Sequence, residues 1–281
     1  MLLKVENLRI AFKLEGRLSV PVRGVSLEIP ENGRVAIVGE SGSGKSLTAL
    51  ALGGLVDRAE ISGKISGSPR LAYIFQNPMQ SLDPVMRVGR QIAEGVKGAV
   101  DVGELLCAVG LKADDAKKYP CELSGGQQQR AMIAMALAQK PDLLIADEPT
   151  TALDVTTQKE VLELVYRIAD ERKMAVVLIT HNLGLVAQYS KFVYVMYAGE
   201  IVEKGLAASI LKSPRHPYTE GLIAAVPRID APKDAKLRDI PGTVPPPWAW
   251  PSGCAFHPRC PYAVESCAQD VGFSGCPRVH D

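Results

Sequence analysis

The chain has 281 residues, enough to bury a large core and to form more than one domain. Its 32 basic and 31 acidic residues leave a net charge of +1, which argues against a nucleic-acid groove or a polybasic membrane patch. No apolar run reaches the roughly 18 to 20 residues that span a bilayer, and Met1 to Asn7 carry charges where a secretory leader needs its apolar stretch, so a cytosolic protein is expected.

Short β-type runs at 3–10, 24–29 and 34–38 alternate with turn residues and predict an antiparallel portion feeding a core strand. From Val35 the pattern becomes strand, Gly-rich loop and helix, the helix covering 45–55. A further strand is expected at 71–75. Residues 77–140 lack β-runs and read as helices interrupted by Pro78, Pro84, Gly110 and Pro120, a helical insertion in an α/β core. The core resumes with strands at 142–146, 174–180 and 192–197 and a helix at 155–171. Continuous apolar runs of this kind suit buried parallel strands. Composition shifts near residue 213. Residues 227–281 hold ten of the twenty prolines, both tryptophans and four of the six cysteines, and predict an ordered appendage held by something other than a hydrophobic core.

Gly39-Glu40-Ser41-Gly42-Ser43-Gly44-Lys45-Ser46 matches the phosphate-loop pattern in the context that pattern requires, after a strand and before a helix. Backbone N–H groups freed by the glycines wrap phosphates, Lys45 reaches the β and γ oxygens, and the Ser46 hydroxyl suits Mg²⁺; Leu47 follows in the helix. Asp147 and Glu148 end a buried strand, where ligands bind in open α/β sheets. Asp147 suits the Mg²⁺ shell, and Glu148 suits a base that polarises water for attack on the γ-phosphate. Gln76 closes the preceding strand and could touch both Mg²⁺ and that water. His181 ends another strand at the same edge, and Thr150 to Asp154 follow Glu148 closely.

Leu123-Ser124-Gly125-Gly126-Gln127-Gln128-Gln129-Arg130 opens a helix expected over 127–139. A small hydroxyl and two glycines there leave backbone N–H groups open to an anion. The chain already has one phosphate loop, so this second anion-binding start suggests a nucleotide held between two chains. Taken as a plain Ser N-cap, the pattern accounts for Ser124 alone.

In this order the phosphate loop, Gln76, the octet, the acidic strand, the Ala152-Leu153-Asp154 loop and His181 resemble the nucleotide-binding domain of ATP-binding-cassette proteins. The resemblance implies a P-loop ATPase over residues 1–212, with the helical subdomain at about 77–140. It also implies a head-to-tail dimer in which Ser124 and Gly126 of one subunit face the γ-phosphate held at the other's Lys45, with Gly125 and Gln127 also in the nucleotide-binding set. Phe12 is the candidate for an aromatic stacked on adenine, and Asp154 lines the same site.

Phe75-Gln76-Asn77-Pro78-Met79-Gln80-Ser81-Leu82-Asp83-Pro84, Ser213-Pro214-Arg215-His216-Pro217-Tyr218-Thr219, Ile240 to Pro246 and Gly253 to Cys260 are similar to the importers of dipeptides, oligopeptides and nickel. That likeness implies an ATP-hydrolysing subunit, peripheral on the cytoplasmic face of the membrane. It would work with a second ATPase subunit (itself or a homologue), two transmembrane permeases and, indirectly, an extracytoplasmic substrate-binding protein. Residues 213–281 would be the group's C-terminal extension. A nickel or sugar importer, or a soluble cassette ATPase, stands as the alternative; single cassette content, +1 net charge and no heptad stretch count against the last.

Cys254, Cys260, Cys267 and Cys276 are separated by five, six and eight residues, neither the paired spacing of zinc ribbons nor a ferredoxin pattern. In a reducing compartment such a cluster points to metal rather than a disulfide framework, though spacing does not name the metal. The family resemblance implies a [4Fe–4S] cluster; zinc and free or bridged thiols stay open. Cys107 and Cys121 stand singly and read as small buried hydrophobes.

Overall fold

The structure is a computed structural model that describes residues 1–14, 16–77, 81–96, 100–151, 153–227, 239–269 and 276. Pro78, Met79, Gln80 and Ala152 of the motifs above lie outside the described residues. The elements run β1 (Leu3–Leu14), β2 (Arg17–Ile29), β3 (Arg34–Val38), α1 (Lys45–Leu52), β4 (Glu60–Ser66) and β5 (Leu71–Ile74). Then follow α2 (Val88–Glu94), α3 (Val102–Ala108), α4 (Gly125–Ala138), β6 (Leu143–Asp147), α5 (Val155–Glu171) and β7 (Ala175–Thr180). The chain closes with α6 (Leu183–Tyr189), β8 (Phe192–Tyr197), β9 (Glu200–Leu206), α7 (Ala207–Lys212) and α8 (Pro217–Ala224). The result is a mixed α/β fold with an antiparallel portion and a helical insertion. Two compact units form, one from Met1–Leu2, Ile29–Gly33 and Ser68–Leu178, the other from Leu3–Glu28, Arg34–Gly67 and Ile179–Asp281.

In the first unit β5, β6 and β7 run in that order, with Leu71 opposite Leu143 in a parallel ladder. All five residues of β6 and all six of β7 are buried, the continuous apolar pattern of strands covered on both faces. The insertion is built from α2, α3, α4 and two short 3₁₀ turns at Ala113–Lys117 and Pro120–Glu122. Helix α4 buries Ala131, Met132, Ile133, Ala134 and Leu137, while α5 turns Val161, Leu162, Val165 and Ile168 inward. The small side chains of α4 let neighbouring elements approach closely.

In the second unit a three-stranded sheet runs β2-β1-β4. β4 was not evident in the sequence. Its residues Glu60 to Lys64 are exposed, and it becomes a strand by antiparallel pairing with β1, Ala11 opposite Glu60 and Lys4 opposite Ser66. β1 and β2 also extend beyond the predicted runs. A second ladder pairs β3 in parallel with β8, and β8 in an antiparallel hairpin with β9. The hairpin turns at Ala198 and Gly199, both at positive φ (49° and 82°), as a turn that matches strand twist requires. α1 ends at Leu52 rather than 55 because Gly53 and Gly54 stop it.

The expectation that the C-terminal stretch rests on something other than a hydrophobic core is overturned. Tyr218, Ala255 and Phe256 are buried in one cluster with Ala36 and Val38 of β3 and Val193, Val195 and Tyr197 of β8. Tyr197, Tyr218 and Phe256 form an aromatic triangle with ring centroids 4.6 to 5.3 Å apart. The extension is also hydrogen-bonded to β2: Val20 N–H donates to Pro247 O, and the Trp250 indole Nε1 donates to Val20 O at 2.9 Å. A Pro-rich sequence cannot build regular elements, but its aromatic side chains still fill a core made elsewhere. Cys107 and Cys121 are likewise not core residues; both are exposed.

Candidate functional site

The second unit carries the phosphate loop between β3 and α1. Gly39 (φ 153°) and Gly44 (φ 98°) adopt backbone that side chains disfavour, and a Cβ at Gly44 would sit 2.6 Å from Pro21 O. A Cβ at Gly39 would run into the Met196 carbonyl. Lys45 is buried, its ammonium donating to the carbonyls of Gly39 (2.8 Å) and Glu40 (2.7 Å) and to Ser43 Oγ (3.3 Å). Its charge is thus satisfied inside the loop. Ser41, Gly42 and Ser46 are exposed and Leu47 is half-buried. Phe12 is half-buried on β1. His181 is exposed just beyond β7, next to Asn182, whose side chain caps α6 by accepting from Gly184 and Leu185 N–H.

The first unit holds the carboxylates. Asp147 ends β6 buried, with Oδ2 accepting from Tyr73 OH at 2.8 Å. Burial, then the Asp147 charge, pushes the Tyr73 phenol well above its usual range, so the phenol stays a donor. Glu148 follows at φ 43°, a left-handed conformation rare for a non-glycine residue. Its Oε2 accepts from Gln76 Nε2 (3.1 Å) and from Thr151 Oγ1 (3.1 Å), which together orient the carboxylate. Gln76 thus meets Glu148 directly, a contact that the sequence reading, which aimed Gln76 at Mg²⁺ and water, did not include. Tyr73 was missed; its alternation with Phe75 in a four-residue strand resembles core packing, and the rings lie 4.5 Å apart.

The octet opens α4 as the Ser N-cap reading requires and as anion binding also requires. Ser124 N–H donates to Gln127 Oε1 (2.9 Å) and Gln127 N–H donates to Ser124 Oγ (3.3 Å), a capping box. Ser124 and Gly125 are exposed, and a Cβ on Gly125 would meet nothing within 4 Å. A Cβ on Gly126 would come 3.0 Å from Thr157 Cγ2. Thr157 in turn donates its hydroxyl to Asp154 at 2.7 Å, and Asp154 caps α5 by accepting from Thr156 and Thr157 N–H. The Thr157 hydroxyl holds the Asp154 carboxyl below its usual range. Asp154 and the start of α4 thus lie together.

Cys260, Cys267 and Cys276 lie within electrostatic reach of Cys254. Burial, above all, pushes the Cys254 thiol up, and the neighbouring Cys276, Cys267 and Cys260 add to the rise. Cys254 N–H donates to Cys267 O at 2.9 Å. Cys254 and Cys276 line one wall of a cavity of about 310 Å³. Among the described residues, however, no three His, Cys, Asp or Glu side chains stand in a metal-holding group. A thiol donor set of this kind suits a soft metal or an iron–sulfur cluster by its chemistry.

Comparison with known proteins accounts for this arrangement. The family profile for the ABC transporter matches residues 22–151, and that for the C-terminal region of the oligopeptide/dipeptide transporter matches 202–267. The chain is 44% identical, over 95% of its length and 90% of the relative's, to the dipeptide transport ATP-binding protein DppD of Escherichia coli K12. Among solved structures, it is similar to the dimeric post-hydrolysis state of the ATP-binding cassette MJ0796 bound to ADP and Pi, at TM-score 0.65 and 27% identity, over 73% of this chain and 99% of that one. A further likeness is to cbiO1 from Clostridium perfringens, part of the cbiONQ ABC transporter complex, at TM-score 0.65 and 25% identity over 75% and 91%. The chain belongs to the ATP-binding-cassette ATPases of transporters. Within them it carries the C-terminal region of the oligopeptide and dipeptide transporters.

Proposed function

We propose that this chain is the ATP-hydrolysing subunit of a peptide importer, docked from the cytoplasmic side on two permease subunits and fed through an extracytoplasmic binding protein. The observation that carries the reading is Glu148, strained at the end of β6 and oriented by Gln76 and Thr151 beside the buried Asp147. The match of 202–267 to the oligopeptide/dipeptide region, and the likeness to DppD, support peptides as cargo.

ATP phosphates are held by the N–H groups of the Gly39–Ser46 loop, with Lys45 exchanging its loop carbonyls for phosphate oxygens. Phe12 offers a ring to adenine. Ser46, Gln76 and Asp147 are hard oxygen donors that fit Mg²⁺, which would neutralise phosphate charge. Glu148 takes the proton of the attacking water, and His181 sits near the departing phosphate. Ser124, Gly125, Gly126 and Gln127 of a second subunit complete the site, a role supported by the exposure of Ser124 and Gly125 at the start of α4, and Asp154 lines the site near Glu148. Hydrolysis removes the bridging phosphate and lets the pair reopen. Co-purification with permease subunits, and ATPase activity stimulated by a peptide-loaded binding protein, are the expected results. No association with membrane subunits would sink the importer reading; stimulation by a nickel-loaded protein would change the cargo.

For the extension, residues 213–281, we infer a [4Fe–4S] cluster on Cys254, Cys260, Cys267 and Cys276, serving to staple the loops. The electrostatic influence of Cys260, Cys267 and Cys276 on Cys254, and the cavity that Cys254 and Cys276 line, support it. Iron and acid-labile sulfide analysis of anaerobically prepared protein should find about four of each per chain. Zinc without sulfide overturns the cluster.

A further inference from the structure

Glu40 is the one acidic residue inside the phosphate loop, where the ligand carries several negative charges. Three groups hold it. Its carbonyl accepts from Lys45, its N–H donates to Tyr218 OH at 2.7 Å, and its carboxylate meets Arg259 in a two-pronged ion pair of 2.7 and 3.0 Å. Two of these three come from the C-terminal extension, more than 170 residues away in the chain.

Arg259 is itself fixed. Nε donates to Pro241 O at 2.7 Å, and the terminal nitrogens reach Ile240 O, Gly242 O and Tyr197 OH, each at 3.3 Å, besides Glu40. The side chain is 5% exposed. A buried guanidinium saturated by backbone carbonyls is a rigid anchor, and its fork matches a carboxylate. The Glu40 bond raises the Arg259 pKa above its usual range, so it is a permanent cation.

We propose that Arg259 is a positioning residue of the nucleotide site, acting through Glu40 on the phosphate loop. Two consequences follow from the geometry. When Lys45 turns from the Glu40 carbonyl to a phosphate, Glu40 stays anchored by Arg259 and Tyr218, so the loop keeps its open shape. Arg259 also cancels a carboxylate charge that would otherwise repel the incoming phosphates. The inference rests on the phosphate-loop reading of Lys45.

The test measures ADP and ATP binding to full-length protein by calorimetry, beside unfolding curves for each variant. Lys45→Ala is the control: undiminished binding there would refute the phosphate-loop reading itself. With that control passed, Arg259→Met is expected to weaken ADP binding about tenfold, about 1.4 kcal/mol, and to raise KM for ATP more than it lowers kcat. Because the uncancelled charge is part of the defect, adding Glu40→Gln to Arg259→Met should restore much of the affinity. A residue that only supports the fold would give losses that add instead. Wild-type affinity in Arg259→Met, or a double variant weakened by the product of the single losses, overturns the proposal. Should Arg259→Met fail to fold, Arg259→Lys keeps the charge and loses the fork. A weakening of about threefold is then expected, and unchanged affinity overturns the proposal.

Discussion

Glu148 combines a residue type suited to proton transfer with a backbone conformation that few glutamates adopt, φ 43°. Gln76 and Thr151 hold its carboxylate, so the amide of Glu148→Gln can keep part of that network while losing the base. Glu148→Gln is expected to bind ATP with near wild-type affinity and to hydrolyse it at least about 100-fold more slowly; a phosphate-release assay checks this, and turnover near the wild-type rate removes Glu148 from its role. His216 shows a different residue-scale effect. Burial pushes its pKa from 6.5 down to about 4, and its Nδ1 accepts from Tyr218 N–H as the cap of α8. The unfolded chain therefore binds a proton below pH 6.5 that the folded chain refuses until about pH 4. Stability contributed by neutral His216 is present above pH 6.5 and is lost as pH falls toward 4, by about 3 kcal/mol at most. His216→Asn keeps a capping acceptor and should flatten that part of the pH profile, read as the difference in urea unfolding between the two proteins at pH 7.5 and pH 5.

Among the elements, α4 and the strands around the site announce themselves through local pattern: a Ser-Gly-Gly start, apolar runs of strand length, two carboxylates at a strand end. β4 and the extension do not. β4 is polar and exposed, and only the β1 edge makes it a strand. The extension looks like a separate appendage, yet Phe256, 2% exposed, completes a core whose other walls come from β3 and β8. Phe256→Ala is expected to destabilise the protein by about 3 to 5 kcal/mol, while Trp248→Ala, at a residue 56% exposed, should change stability by under about 0.5 kcal/mol. Denaturant unfolding decides the matter. Equal, small losses at both sites would restore the appendage view.

At the scale of the whole molecule, the start of α4 leaves Ser124 and Gly125 open to solvent. Gly125 offers a clean probe: it is exposed and a side chain there meets no neighbour within 4 Å, so Gly125→Glu should fold normally. The added carboxylate suits the helix dipole but opposes an anion approaching the same N–H groups. In the Glu148→Gln background, ATP is expected to drive dimer formation on size exclusion, and Gly125→Glu is expected to abolish it. A dimer that persists would show that the octet does not face the partner's nucleotide. Membrane attachment belongs to the partners in this reading; among the described residues no helix is long and apolar enough to cross a bilayer.

The sequence by itself determined the motifs on which the proposed chemistry rests: the phosphate loop, Gln76, Asp147, Glu148, the octet and His181 each draw meaning from a few neighbouring residues, because backbone N–H cradles, strand ends and helix starts are local objects. It also carried the family and the extension's cysteines. What only the tertiary structure decided is how distant segments constrain those local parts. Tyr73 under Asp147, Tyr218 and Arg259 on Glu40, and Phe256 in the core of β3 and β8 are contacts between residues at least 59 positions apart (Tyr197 to Phe256), with 219 between Glu40 and Arg259. Nothing in the spacing of such residues encodes their meeting; burial and ion pairing select it once the chain has folded.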